Sequence, residues 1–152
     1  MIVSKADQKQ AVNRRSTDEL LSLVQATDKL DRVVLEHAAD FSALSFPAML
    51  AQLTERKRLT PAQLGEKALL SRSFTYQLFS GDRAPSRDMI LRLSVVLELN
   101  VEETQAFLRS AQRGALYPRV PRDAAIINAL SRHLDVAETE DLLSTLGETS
   151  LL

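Results

Sequence analysis

The chemistry this sequence can offer is concentrated between Thr60 and Arg87, and it is recognition by hydrogen bonds and charge rather than bond making. Arg72, Ser73, Tyr76 and Gln77 are spaced to share the outer face of one short helix, with Thr75, Leu78 and Phe79 on the opposite, inward face. An arginine can grip a guanine edge with two hydrogen bonds, a glutamine can do the same for adenine, and a serine hydroxyl suits a base or a phosphate oxygen. Tyr76 can donate to a phosphate or pack on a sugar. Around that helix, Thr60, Gln63, Ser71, Ser80, Arg83 and Arg87 are of the types that hold a phosphate backbone, which sets register rather than sequence. Bond-making machinery is not expected. The chain has no cysteine, its two histidines, His37 and His133, stand apart without a ligand pattern, and its carboxylates fall at capping and salt-bridge positions. Nothing pairs a nucleophile with a base or builds a glycine-rich phosphate cradle. No cofactor, metal or catalytic activity is therefore expected.

Those side chains need a frame, and capping signals supply it. Thr60 followed by Pro61, with Gln63 three places on, combines an N-cap, a first-turn proline and a capping box, and predicts a helix with Leu64, Gly65 and Ala68 inward. Leu69-Leu70 form the link. Ser71 caps a second helix through Leu78 and Phe79, and Gly81 supplies the left-handed residue that ends it. A turn from Asp82 to Pro85 leads to Ser86, the N-cap of a helix carrying Met89, Ile90, Leu93, Val96 and Leu97 at helical spacing. Upstream, Phe46-Pro47 opens a helix with Ala48, Met49, Leu50 and Leu53 inward. It ends in the basic cluster Glu55 to Arg58, which the helix dipole favours in any protein. Two short helices joined in this way make a helix-turn-helix.

The order Ser71-Arg72-Ser73, Gly81, Arg83 and Pro85-Ser86 resembles the Cro/repressor-type (XRE-like) DNA-binding proteins. More widely, the YQ-hydrophobic-F-SG-x-R-x-PSRD segment from Tyr76 to Asp88, the LEET-like step Val101-Glu102-Glu103-Thr104 and the LYPR-x-x-RDA segment from Leu116 to Ala124 are similar to an uncharacterised bacterial subgroup of those regulators. The likeness covers nearly everything after about Thr17. It implies that Arg72, Ser73 and Gln77 contact bases, and that Thr60, Gln63, Ser71, Tyr76, Ser80, Arg83 and Arg87 contact the DNA backbone. One position departs: the family's usual interhelical glycine is Leu69 here, so either a leucine carries about 1 kcal/mol of left-handed strain or the turn differs.

The net charge of −1 conceals an asymmetry. From Glu55 to Arg92, eight basic residues (Arg56, Lys57, Arg58, Lys67, Arg72, Arg83, Arg87, Arg92) face four acidic ones, a net of +4; from Glu98 onward, five arginines face nine carboxylates, a net of −4. Positive charge thus gathers on the segment that phosphate contact would use. Residues 1–16 are polar and weakly periodic and are expected as a flexible arm. From an N-cap at Thr17, one helix should run towards Ala39 with a heptad seam at Leu20, Leu23, Thr27, Leu30, Val34, His37, Phe41 and Leu44. That seam could either pair two subunits through Leu20, Leu23, Leu30, Val34 and Phe41 or lie along its own chain's core.

Shifting the chain by 35 residues reveals a repeat. Of the 22 positions from Arg87 to Leu108, seven recur, including Arg87-Asp88 as Arg122-Asp123 and Glu103-Thr104 as Glu138-Thr139. Each copy predicts a helical hairpin with a break capped by Asn100 or Asp135. Gly114 to Pro121 connects them, with Leu116 and Tyr117 expected in the core and Arg92 as a solvated charge. The tail from Gly147 ends in Leu151-Leu152, placed either on this chain or on a second subunit.

The fold expected is all-α: a five-helix-type helix-turn-helix domain (46–112), preceded by an arm (1–16) and an N-terminal helix (17–45) and followed by a C-terminal helical hairpin (113–152). The function expected is a sequence-specific, double-stranded DNA-binding transcriptional regulator, a homodimer on a palindromic operator. The alternative is an adaptor that binds a protein partner such as a kinase, toxin or sigma factor through the C-terminal hairpin. No apolar run reaches the roughly 18 residues of a membrane span and no signal pattern opens the chain, so a cytoplasmic setting without membrane contact is expected.

Overall fold

The computed structural model describes residues 15–38 and 44–152; residues 1–14 of the expected arm, Phe41 of the expected seam and the expected helix end at Ala39 lie outside them. All regular structure among the described residues is helical, and the chain divides into two compact units, residues 1–43 and 44–152. In the first unit α1 is Thr17–Ala26 and α2 is Leu30–Glu36. The single long helix expected here is therefore corrected to two short ones. Thr27 turns extended, and its hydroxyl accepts the N–H of Lys29 in place of the helical ladder, a local bond that competes with helix continuation. The heptad seam breaks at that point. The N-cap is Ser16 rather than Thr17, closed into a capping box by Glu19.

The second unit holds α3 (Phe46–Arg56), α4 (Pro61–Lys67), α5 (Arg72–Ser80), α6 (Arg87–Val96), α7 (Val101–Ser110), α8 (Pro121–Ser131) and α9 (Val136–Thr145). One junction recurs four times. A left-handed residue, a leucine and a polar N-cap follow each other at Arg58-Leu59-Thr60, Leu69-Leu70-Ser71, Glu98-Leu99-Asn100 and His133-Leu134-Asp135. In each, the leucine N–H bonds the carbonyl five residues back, at Thr54, Gly65, Ser94 and Ala129, which satisfies a helix-end carbonyl and turns the leucine towards the protein. None of these four turns uses glycine.

Helix α6 is the hub, packing against α4, α7, α8 and α9. It buries Ile90, Leu91, Leu93, Ser94 and Val95, and one continuous core joins Phe46 and Leu50 of α3 to Phe107 of α7, Ile126 of α8 and Leu143 of α9. The Phe46 and Phe107 rings stack at 4.9 Å. The buried hydroxyls are satisfied locally, as Thr54, Ser94, Thr104 and Thr139 each donate to the carbonyl four residues back.

The 35-residue repeat is present in three dimensions and extends past the hairpins. Gln105 holds Leu116 through its N–H and carbonyl, and the equivalent Glu140 accepts the N–H of the equivalent Leu151; both leucines are buried. The tail therefore docks on its own chain through Leu151. Tyr117, expected in the core, is instead exposed.

Candidate nucleic-acid interface

The outer face of α5 is built by its inner face. Thr75 and Leu78 are buried, and Thr75 Oγ1 donates to the Ser71 carbonyl. Gly65 in α4 lies against that side chain so closely that a Cβ there would stand 2.3 Å from Thr75 Oγ1. The absence of a side chain at Gly65 thus sets how near the two helices approach. Their link passes through Leu69, which adopts φ +59° while 65% exposed, so this chain does use the left-handed turn and places a leucine in it. Ser71 Oγ accepts the Phe74 N–H and Gly81, at φ +83°, closes the helix.

This frame leaves Arg72, Ser73 and Tyr76 exposed and Gln77 half-buried on one side. The Arg72 guanidinium lies 5.9 Å from the Tyr76 ring centroid. The turn after Gly81 returns Arg83 to the same side, where its Nε donates to Gln77 Oε1 at 3.0 Å and its guanidinium lies 4.9 Å from the Phe74 ring centroid. Gln77 and Arg83, expected in separate roles, thus meet beside Phe74, for which no role is expected; the αL reversal at Gly81 is the sequence signal that residue 83 returns over residue 77. Thr60 and Gln63 satisfy each other in a capping box, which leaves the Thr60 hydroxyl proton and the Gln63 amide nitrogen for an outside acceptor. Ser80 is less available, because its single proton is shared between Asp82 Oδ2 and the Gln77 carbonyl.

Arg87, expected as a DNA backbone contact, is engaged within its own chain. Its guanidinium donates to the carbonyls of Gly114 and Ala115 and to both oxygens of Asp123. Arg122, its repeat equivalent, donates to the carbonyls of Thr149 and Ser150 and to Asp88. Each hairpin's arginine therefore grips the other hairpin's aspartate, a reciprocal pair that locks α6 to α8. Arg92, expected to be solvated, bridges the Ala68 and Leu151 carbonyls. Arg56 pairs with Glu103 and Lys57 with Glu98.

Four of the eight cations counted in the reading segment thus have partners within the same chain, two of them in exposed ion pairs. Burial pushes the Asp123 carboxyl up, but the hydrogen bonds from Arg87 and the Tyr117 N–H, with the charges of Arg87 and Arg122, outweigh it and hold the group below its ordinary value. Glu103 behaves alike: burial raises it, and Arg56 and the Asn100 N–H bring it below. The Asp88 hydrogen bond lifts Arg122 further above its already high value against the opposing effect of burial.

Among the described residues no helix is long and apolar enough to cross a membrane, and no cluster of histidine, aspartate and glutamate is arranged to hold a metal. No curated protein and no solved structure matches the chain. Residues 47–107, which run from the first turn of α3 into α7, match the family model described as a helix-turn-helix domain.

Proposed function

We propose that this chain is an XRE-type transcriptional regulator that binds double-stranded DNA sequence-specifically, as a homodimer on a palindromic operator. The observation that carries the reading is the outer face of α5. It presents Arg72, Ser73, Tyr76 and Gln77 from a helix pinned by Gly65, Thr75 and Leu78, on a segment matching a helix-turn-helix domain. Arg72, Ser73 and Gln77 are the base-reading set, with Arg72 suited to guanine. Thr60, Gln63, Ser71 and Tyr76 meet the backbone. A single such helix covers too few base pairs to be selective, and two half-sites about one DNA turn apart supply the discrimination. Apolar side chains for a subunit contact stand exposed at Leu30, Val34 and Leu35 of the first unit, and separately at Leu146 and Leu152 of the second.

The test is selection from a random duplex pool at near-physiological salt. A palindromic motif with half-sites about 10 base pairs apart is the expected result. A folded, monodisperse protein that enriches nothing would overturn the reading in favour of a protein-binding adaptor.

A further inference from the structure

Arg83 touches Gln77 twice. Its backbone N–H donates to the Gln77 carbonyl at 3.3 Å, its side-chain Nε donates to Gln77 Oε1 at 3.0 Å, and Phe74 supports the guanidinium from below. A guanidinium has donors and no acceptor, so only the oxygen end of the amide can face it; an amide flip would set two donors against each other. The contact therefore decides which way Gln77 points. Resting on the DNA-reading role of α5, we propose that Arg83 is a positioning residue for base recognition: it holds Gln77 with Oε1 turned to the guanidinium and Nε2 outward. Gln77 and Arg83 then read one base together.

The consequence is a change in what Gln77 selects. A lone glutamine suits adenine because it can donate to N7 and accept from the N6 amino group at once. With Oε1 engaged, the pair offers the amide Nε2 hydrogens and the outer guanidinium hydrogens, an array of donors. Its complement in the major groove is an edge with two acceptors, guanine O6 and N7. The pairing also ties together two residues that an independent assignment would separate into a base reader and a backbone clamp.

The experiment is the same duplex-pool selection run on the intact chain and on Gln77→Ala, Arg83→Lys and the double variant, with affinities measured on the selected and a scrambled duplex. Arg83→Lys keeps the charge and loses Nε and the planar stack. The expected result is that Arg83→Lys leaves scrambled-DNA affinity within about twofold while lowering preference for guanine roughly tenfold, at the same base position that Gln77→Ala affects, the scale of one bidentate contact. The double variant should be no less selective than either single one. Without DNA, Arg83→Lys should shift the Gln77 side-chain amide resonance in a spectrum otherwise unchanged, which a general loss of fold would not produce. If the parent chain yields a motif but Arg83→Lys leaves it intact, or if the two losses add, the positioning role is overturned and the reading role of α5 stands. If the parent chain yields no motif, both fall together.

Discussion

At the level of single residues, the reading helix depends on what is missing at Gly65. Replacing Gly65 with alanine would drive a methyl into Thr75 Oγ1, a contact with little room to relax because Thr75 is buried and tied to the Ser71 carbonyl. Urea unfolding of Gly65→Ala should show a loss of about 1–3 kcal/mol, the usual scale of overpacking. Adding Thr75→Ala should cost less in that background than in the parent chain, since it removes the clashing oxygen. Equal costs would mean the helices simply separate. Leu69 makes the opposite case: it sits at φ +59° and is largely exposed, so Leu69→Gly should relieve left-handed strain and raise stability by about 0.5–1 kcal/mol in the same assay. The inward places of Leu64, Gly65 and Ala68 were legible from helical spacing. The Gln77–Arg83 contact was not, because it depends on where a turn returns a side chain rather than on spacing along a helix.

Among the elements, capping chemistry explains what could be read in advance. Thr60, Ser71, Ser86, Asn100 and Asp135 all cap the helices expected of them, since a cap is a local bond between neighbours in sequence. The break after α1 is invisible to heptad spacing, which runs through Thr27, because it rests on the Thr27 hydroxyl bonding the backbone and stopping the helix. The partners of Arg87 and Arg122 lie 36 and 34 residues away, beyond any local rule.

That hairpin lock should make stability acid-sensitive. Asp123 is held below its ordinary value of 3.8 in the folded chain, so its contribution is complete above that value and is lost as the pH falls through it towards the depressed folded value. Denaturation midpoints should be nearly level from neutrality to about pH 5 and then decline, with Glu103 adding in the same direction. Asp123→Asn should be less stable at neutral pH, because Arg87 keeps its charge without its partner, yet should decline less on acidification. A parallel decline in both proteins would place the acid sensitivity elsewhere.

Over the whole molecule, charge counted along the chain and charge available to DNA are different quantities. Of the eight cations between Glu55 and Arg92, Arg56, Lys57, Arg87 and Arg92 are held by carboxylates or carbonyls of the same chain. Glu98, Glu103 and Asp123 of the acidic C-terminal half neutralise part of the basic half. Four cations of that segment, Arg58, Lys67, Arg72 and Arg83, stand outside these pairs and can displace counterions without breaking one. Each phosphate neutralised steepens log K against log salt by about 0.9, so a dimer using all four from each chain would reach a slope near −7, against about −14 for the full count. Single substitutions separate the two groups by anisotropy titration across salt. Lys67→Ala in both subunits should flatten the slope by up to about 2, whereas Arg87→Ala should lower the melting temperature and leave the slope unchanged. A flattened slope with Arg87→Ala would mean that the hairpin lock opens on DNA and gives up its arginine to a phosphate.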